Sequence, residues 1–459
     1  MSGNQDKTSN SPNPKRQATG QLAGRNGVVV PKYKTSGEQA GYRTYEVYQR
    51  ERVGQSTERI KPVHLVSDDF RVDPYPMLAI LREHYPCYRD WLENCFWITR
   101  YDDVTSVFTD DANFETRSKA WRYDRADMGR DLGAELKVLE TYATTLINRS
   151  EDIAARLAEG LLERGGGNLA TGFASSFAME MILVAWGIPL ADTNRFTHNY
   201  WALQRGTSWR PDLQLAGQVA LEELKAYFEA LLSDRRDDPG DDLVSVIAQL
   251  ELPDGPATAA DVVRTLLEGD HETLGGALAN LWYLLLTHPE ALEQARSESR
   301  LMKLAYLETV RHSTPVLAAH RYTRHEVERF GRLLPAGALV ICSAAAANRD
   351  PRVFTEPDRF VVDRQDMCHR EPRGQYRADG LASGITFALG KPSRHPAVPE
   401  DRPMSAYALV RDAAVTASNT LLACAPDLSL VAGAQPRLNA LSLGEMHTCW
   451  DLPVVMHRH

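Results

Sequence analysis

Ile385-Thr386-Phe387-Ala388-Leu389-Gly390-Lys391-Pro392-Ser393-Arg394-His395-Pro396 is the stretch on which the fold of this chain turns. Three landmarks precede it: Glu308-Thr309-Val310-Arg311, then Ala347-Asn348-Arg349-Asp350-Pro351, then Pro357-Asp358-Arg359-Phe360. Glu308 and Arg311 stand at i and i+3, so on a helix they share one face. Between Phe360 and Arg394 a polar, Gly-containing excess, about Cys368 to Ser383, reads as an inserted loop. After His395 a Pro-rich run, Ala397 to Pro403, precedes a helical pattern that begins near Ala406.

Further out, the chain of 459 residues is 43% hydrophobic, enough for a large buried core. Lys+Arg 52 against Asp+Glu 61 leaves a net charge of -9, and no basic face for nucleic acid. The six cysteines are scattered, with neither a CxxC pair nor zinc spacing, as expected of buried thiols in a reducing compartment. No stretch is apolar and long enough to span a bilayer, and the N-terminus lacks the apolar core of a signal peptide. These features predict a cytoplasmic protein that touches neither membrane nor nucleic acid.

Residues 1–42 are rich in Ser, Asn, Gly, Pro, Lys and Gln and read as a disordered arm; 43–459 read as a single domain. Asp73-Pro74 opens a helix carrying Met77, Ile80 and Leu81. Cys95 to Thr99 is a short β-rich run, followed by Tyr101-Asp102-Asp103-Val104 and a helix. From Glu151 to Gln249 the pattern is mostly helical, interrupted by Arg164-Gly165-Gly166-Gly167. Ala259 to Thr287 is expected to be one long helix with a broad apolar stripe. Its middle, Glu268-Gly269-Asp270-His271-Glu272-Thr273, is polar, which predicts a polar pocket around Gly269, Asp270 and His271 or a solvent-facing side.

In this order, these segments resemble a bacterial cytochrome P-450, over roughly Asp68 to Val455. The resemblance implies a mainly α fold with a small β portion. It matches Gly269, Glu272 and Thr273 to the family's distal-helix motif, where an acid and a hydroxyl deliver protons to bound oxygen. Asp270 departs from that motif: it stands where the family has a second glycine. The resemblance also implies that Glu308, Arg311 and Arg359 form a structural network that fixes the loop carrying the iron ligand.

That ligand is a cysteine thiolate in the pattern Phe-Gly-x-Gly-x-His-x-Cys-x-Gly. Counted from Phe387, its position falls on Arg394, and the preceding His position on Pro392. An arginine is always protonated and ligates no metal. The helix that supplies His and Arg donors to the haem propionates corresponds to Leu132–Glu140, where acids stand in place of cations. The reading that follows is a chain without cofactor: an accessory protein that activates or scaffolds a partner enzyme of specialised metabolism. The resemblance extends to relatives that activate glycosyltransferases, so a glycosyltransferase is the first partner expected, with a small-molecule ligand in the distal pocket.

Two alternatives stay open. One is a haem-dependent monooxygenase with non-standard ligation, His395 or else Cys368 holding the metal and Glu272 and Thr273 delivering protons. The other is a non-redox enzyme using Asp270, His271 and Glu272 as acid/base groups.

Overall fold

The structure, a computed structural model, describes residues 60–123, 128–207, 211–269, 271–368, 406–440 and 446–457, together with strands β1 (Gln21–Ala23), β2 (Val29–Pro31) and β12 (Leu389–Gly390). β1 and β2 pair antiparallel inside the stretch expected to be a disordered arm; the rest of that arm lies outside the described residues.

The helices follow in order. α1 (Pro62–Leu65), α2 (Asp68–Val72), α3 (Tyr75–His84) and α4 (Tyr101–Phe108) lie around the main sheet. α5 (Leu136–Glu163), α6 (Ser176–Ala185), α7 (Thr193–Arg205), α8 (Pro211–Asp237) and α9 (Leu243–Ala248) follow. α10 (Ala259–Glu268) and α11 (His271–Thr287) form the middle of the molecule. α12 (Pro289–Ser297), α13 (Ser299–His312), α14 (Ala344–Ala347) and α15 (Ala406–Cys424) complete the set.

The main sheet has five strands in the order β3-β4-β10-β7-β5. β3 (Tyr88–Asp90) and β4 (Cys95–Ile98) form a hairpin. β10 (Leu339–Cys342) runs parallel to β4, with Leu339 opposite Cys95, and antiparallel to β7 (Ala319–Thr323). β5 (Phe114–Glu115) closes the far edge. The strands β13 (Ser429–Leu430), β16 (Pro453–Val455) and β6 (Gly166–Asn168) form a second, three-stranded sheet. Gly166 sits at φ +128, and a Cβ there would overlap the Val454 carbonyl, so the glycine run both ends α5 and admits the C-terminal strand. A last hairpin pairs β14 (Leu438–Ala440) with β15 (His447–Cys449).

α11 is buried through its middle. Ala277, Leu278, Leu281, Trp282 and Leu285 have no exposed surface, as expected of a helix that is apolar all round. It packs against α6, α13, α15 and β15. The mostly helical body with a small sheet portion agrees with the fold expected from the sequence.

One element differs. The expected single helix over 259–287 is two helices. α10 opens on a capping box: the Thr258 hydroxyl accepts from the Asp261 amide, and the Asp261 carboxylate accepts from the Thr258 amide. It ends at Glu268 because Gly269 is extended, with φ -65 and ψ 137. Periodicity does not register this break, because the apolar stripe continues in phase through it. Tertiary partners hold it open, as described next.

Candidate functional site at the broken central helix

The break falls in the polar segment that the sequence singles out. Gln204 of α7 donates from Nε2 to the Leu267 carbonyl at 3.3 Å, pairing one of the acceptors that the end of α10 exposes. The Glu268 carboxylate accepts from the amides of Lys119 and Ala120, each at 2.9 Å, which ties the break to the 3₁₀ turn Lys119–Arg122. Lys119 Nζ reaches Gln204 Oε1 at 3.1 Å and closes the ring of contacts. No sequence pattern points to Lys119 and Gln204, which lie far from the motif along the chain.

Of the residues expected around the pocket, Gly269 is at the break itself and Thr273 is 2% exposed in the first turn of α11. His271 and Glu272 belong to the backbone of α11, and their side chains lie outside the described residues, as does Asp270. His395, Arg394 and most of the stretch from 385 to 396 lie outside them too; only Leu389–Gly390 is described, paired with β11 (Met367–Cys368).

The anchor of the preceding loop is fully described. Arg311 is completely buried and forks onto Glu308, with Nε and Nη2 each 2.7 Å from a carboxylate oxygen. Its remaining donors go to the carbonyls of Asn348 (2.9 Å), Pro357 (2.7 Å) and Arg359 (3.0 Å). The third guanidinium differs from the expected one. Arg364 Nε lies 3.1 and 3.2 Å from the two Glu308 oxygens, and the Arg364 side chain is buried. Arg359 instead turns its side chain to Glu356 at the surface, 67% exposed, and contributes only its carbonyl. The reason is geometric: Arg311 and Arg364 both donate to the Arg359 carbonyl, which leaves the Arg359 side chain facing outward.

Nearby, burial and the Arg349 and Arg311 cations hold His312 well below the ordinary imidazole value of 6.5. Its Nε2 lies 3.1 Å from the Asp358 carbonyl.

The segment leading into α5, expected to face haem propionates, is tied to α10. The Leu132 amide donates to Thr265 Oγ1 at 2.9 Å, and Arg130 pairs with Asp261 at 2.7 Å. Burial pushes the Asp261 carboxyl up, but the bonds from Arg130 and Thr258 outweigh it and bring the group below its ordinary value. Glu135 caps α5, and Lys137 is exposed.

A cleft opens farther along α11. It is a small cleft between α6, α7, α11 and the C-terminal hairpin, with Gly275, Gly276 and Ala279 on its α11 side. It therefore lies beyond Gly269–His271, where the sequence predicts a pocket.

The cytochrome P-450 family profile matches residues 252–367, which span the broken helix and the Glu308–Arg311–Arg364 anchor. The pulcherriminic acid synthase of Bacillus subtilis (strain 168) is 26% identical over 354 residues, covering 73% of this chain and 87% of the relative. The cyclomarin C epoxidase of Salinispora arenicola (strain CNS-205) is 29% identical over 342 residues, covering 69% and 83%. A myxobacterial cytochrome P-450 solved with myristic acid superposes with a TM-score of 0.69 at 24% identity, over 86% of this chain and 99% of that one. The fold and the anchor define a protein built like a cytochrome P-450. Over this part of the chain and across most of the length of its bacterial relatives, which include enzymes of specialised metabolism, the chain is similar to the cytochrome P-450 superfamily.

This similarity corrects the expectation of a chain without cofactor. The family and the named relatives are haem-dependent enzymes, so the family implies haem. The described segment Leu132–Glu140 contains neither His nor Arg. No helix among the described residues is long and apolar enough to cross a membrane.

Proposed function

We propose that the chain is a haem-dependent oxidoreductase of specialised metabolism, located in the cytoplasm, whose iron ligand is not a thiolate at position 394. His395 is the first candidate ligand, since an imidazole one residue away serves as the axial donor in other haem proteins. The observation that carries this reading is the break in the central helix at Gly269, with Thr273 buried one turn later. A long helix interrupted where its sequence turns polar leaves backbone groups and side chains available to a small molecule. The haem supplies the redox chemistry. The chain's own part is proton supply from the Glu272 carboxyl and the Thr273 hydroxyl, and placement of the proximal loop through Glu308, Arg311 and Arg364.

The test is a visible spectrum of the pure protein incubated with excess haemin, desalted, and reduced under carbon monoxide. A retained Soret band that His395→Ala abolishes and Arg394→Ala preserves supports the reading. No retained band in the unmodified protein overturns it.

A second reading is favoured by one observation, the arginine at the thiolate position. In it the chain activates or scaffolds a partner enzyme, a glycosyltransferase first, and the anchor around Glu308 serves only to hold the fold. Co-elution with that partner and a rise in its turnover, both unaffected by Thr273→Val, support this reading. No change in partner turnover counts against it.

A further inference from the structure

We propose that His447 makes the C-terminal hairpin an acid-released clasp on the N-terminal helices: protonating its imidazole frees β15 from α2 while the rest of the fold stays closed.

The clasp joins segments from opposite ends of the chain. His447 is 1% exposed, and its Nε2 lies 3.0 Å from the carbonyl of Val72, the last residue of α2. A carbonyl only accepts, so Nε2 carries the proton and donates. The acceptor is one that the end of a helix leaves without an internal partner. α2 also packs against β14, the other strand of the hairpin. The backbone of the same strand is tied to the body. The His447 amide donates to the Pro315 carbonyl at 2.7 Å, its carbonyl accepts from Asn280 Nδ2 at 3.0 Å, and Thr448 Oγ1 donates to the Gly276 carbonyl at 3.1 Å. β15 thus stands between α2 and α11, and His447 is its one side chain that titrates near neutral pH.

The other ring nitrogen is sealed in. Nδ1 is buried and has no hydrogen-bond partner among the described residues. Protonation turns it from a bare acceptor into an N–H donor and puts a positive charge on the ring. A buried cation and an unpaired buried donor both cost free energy, and both are relieved when the ring turns out to water. The groups around the ring are few. Asp73, directly after α2, favours the cation, and Arg349, after α14, opposes it. Tyr75 of α3 meets the imidazole edge to face, with ring centroids 6.2 Å apart, and the Arg349 guanidinium lies 3.4 Å from the Tyr75 ring centroid. From α11 and the strand's other neighbour the facing groups, Asn280 and Pro315, are neutral. Burial outweighs the Val72 carbonyl and Asp73 and holds the imidazole below its ordinary 6.5. A released ring titrates near 6.5, so the clasp is complete above about pH 7 and loosens as pH falls through that value.

The experiment follows amide hydrogen exchange of the full chain between about pH 8 and 5, with each rate divided by that of an unstructured peptide at the same pH. Protection in α2 and β15 should be level above about pH 7 and lower by ~3–10-fold at about pH 5.5, while α8, which contains no histidine, keeps its protection. His447→Gln should abolish the fall, because the carboxamide still donates to the Val72 carbonyl but takes up no proton. His312→Gln should leave the fall in place, which separates local release from the acid sensitivity of the whole fold. Level protection in the unmodified protein overturns the proposal. So does an equal fall in α8, or a fall that survives in a folded His447→Gln protein. If that variant does not fold, the slope in the unmodified protein decides: one proton limits the fall to ~10-fold per pH unit, and a steeper fall overturns the proposal. None of these results depends on whether haemin is retained, so the clasp and the proposed redox function fail independently.

Discussion

At the scale of single residues, Glu308 holds two buried guanidinium groups. Removing one partner of a buried ion pair leaves an uncompensated charge, at a cost of about 3–5 kcal/mol. Glu308→Ala is therefore expected to lower stability by that amount in urea unfolding. Arg364→Leu should also be strongly destabilising, since it leaves the Glu308 carboxylate with fewer donors in a buried setting. Arg359→Ala should change stability by less than about 1 kcal/mol, because its own ion pair is exposed. Equal losses in the Arg359 and Arg364 variants would show that the third guanidinium has been misassigned. The sequence made the helical pair legible, because Glu308 and Arg311 are three residues apart on one helix. It did not distinguish Arg359 from Arg364, five residues apart in an irregular loop whose path only the folded backbone defines.

At the scale of elements, the central break and the C-terminal hairpin are each held by a few polar groups. Glu268→Ala removes the acceptor of two amides, so faster hydrogen exchange is expected at Lys119 and Ala120. Unchanged exchange there would mean that the turn holds itself. Asn280, completely buried in α11, donates to the carbonyls of Ser313 and His447 at 2.8 and 3.0 Å and accepts from the Cys449 amide at 3.0 Å. Asn280→Leu should cost about 1–3 kcal/mol for each of these groups left buried and unpaired. The loss should appear first as faster exchange in β15, and a variant with wild-type stability and exchange would exclude this tether. The sequence predicts both halves of the long helix but not its interruption. Gly269 alone is tolerated inside many helices; here Gln204 and Lys119, brought in from other elements, decide that the chain opens.

For the whole molecule, two imidazoles, His447 buried and His312 half-buried, couple folding to acid. Burial and neighbouring cations lower the His312 pKa, and burial lowers that of His447 against weaker raising contributions. Both groups take up protons near 6.5 when unfolded and only at lower pH when folded. Below about 6.5 the unfolded state thus binds more protons, and stability falls as pH falls. The urea midpoint should drop between about pH 7.5 and 5.5, and His312→Gln should shrink that drop. A drop of unchanged size in that variant would assign the acid sensitivity elsewhere.

The sequence by itself determined the likeness to cytochrome P-450, the mainly helical character of the chain and the helical pair Glu308–Arg311, because those are carried by local patterns in a fixed order. The tertiary structure alone decided which arginine completes the anchor, where the central helix opens, and that a cleft lies beyond the polar segment. Each of these depends on side chains that distant parts of the chain bring together, and periodicity along one segment carries no record of them.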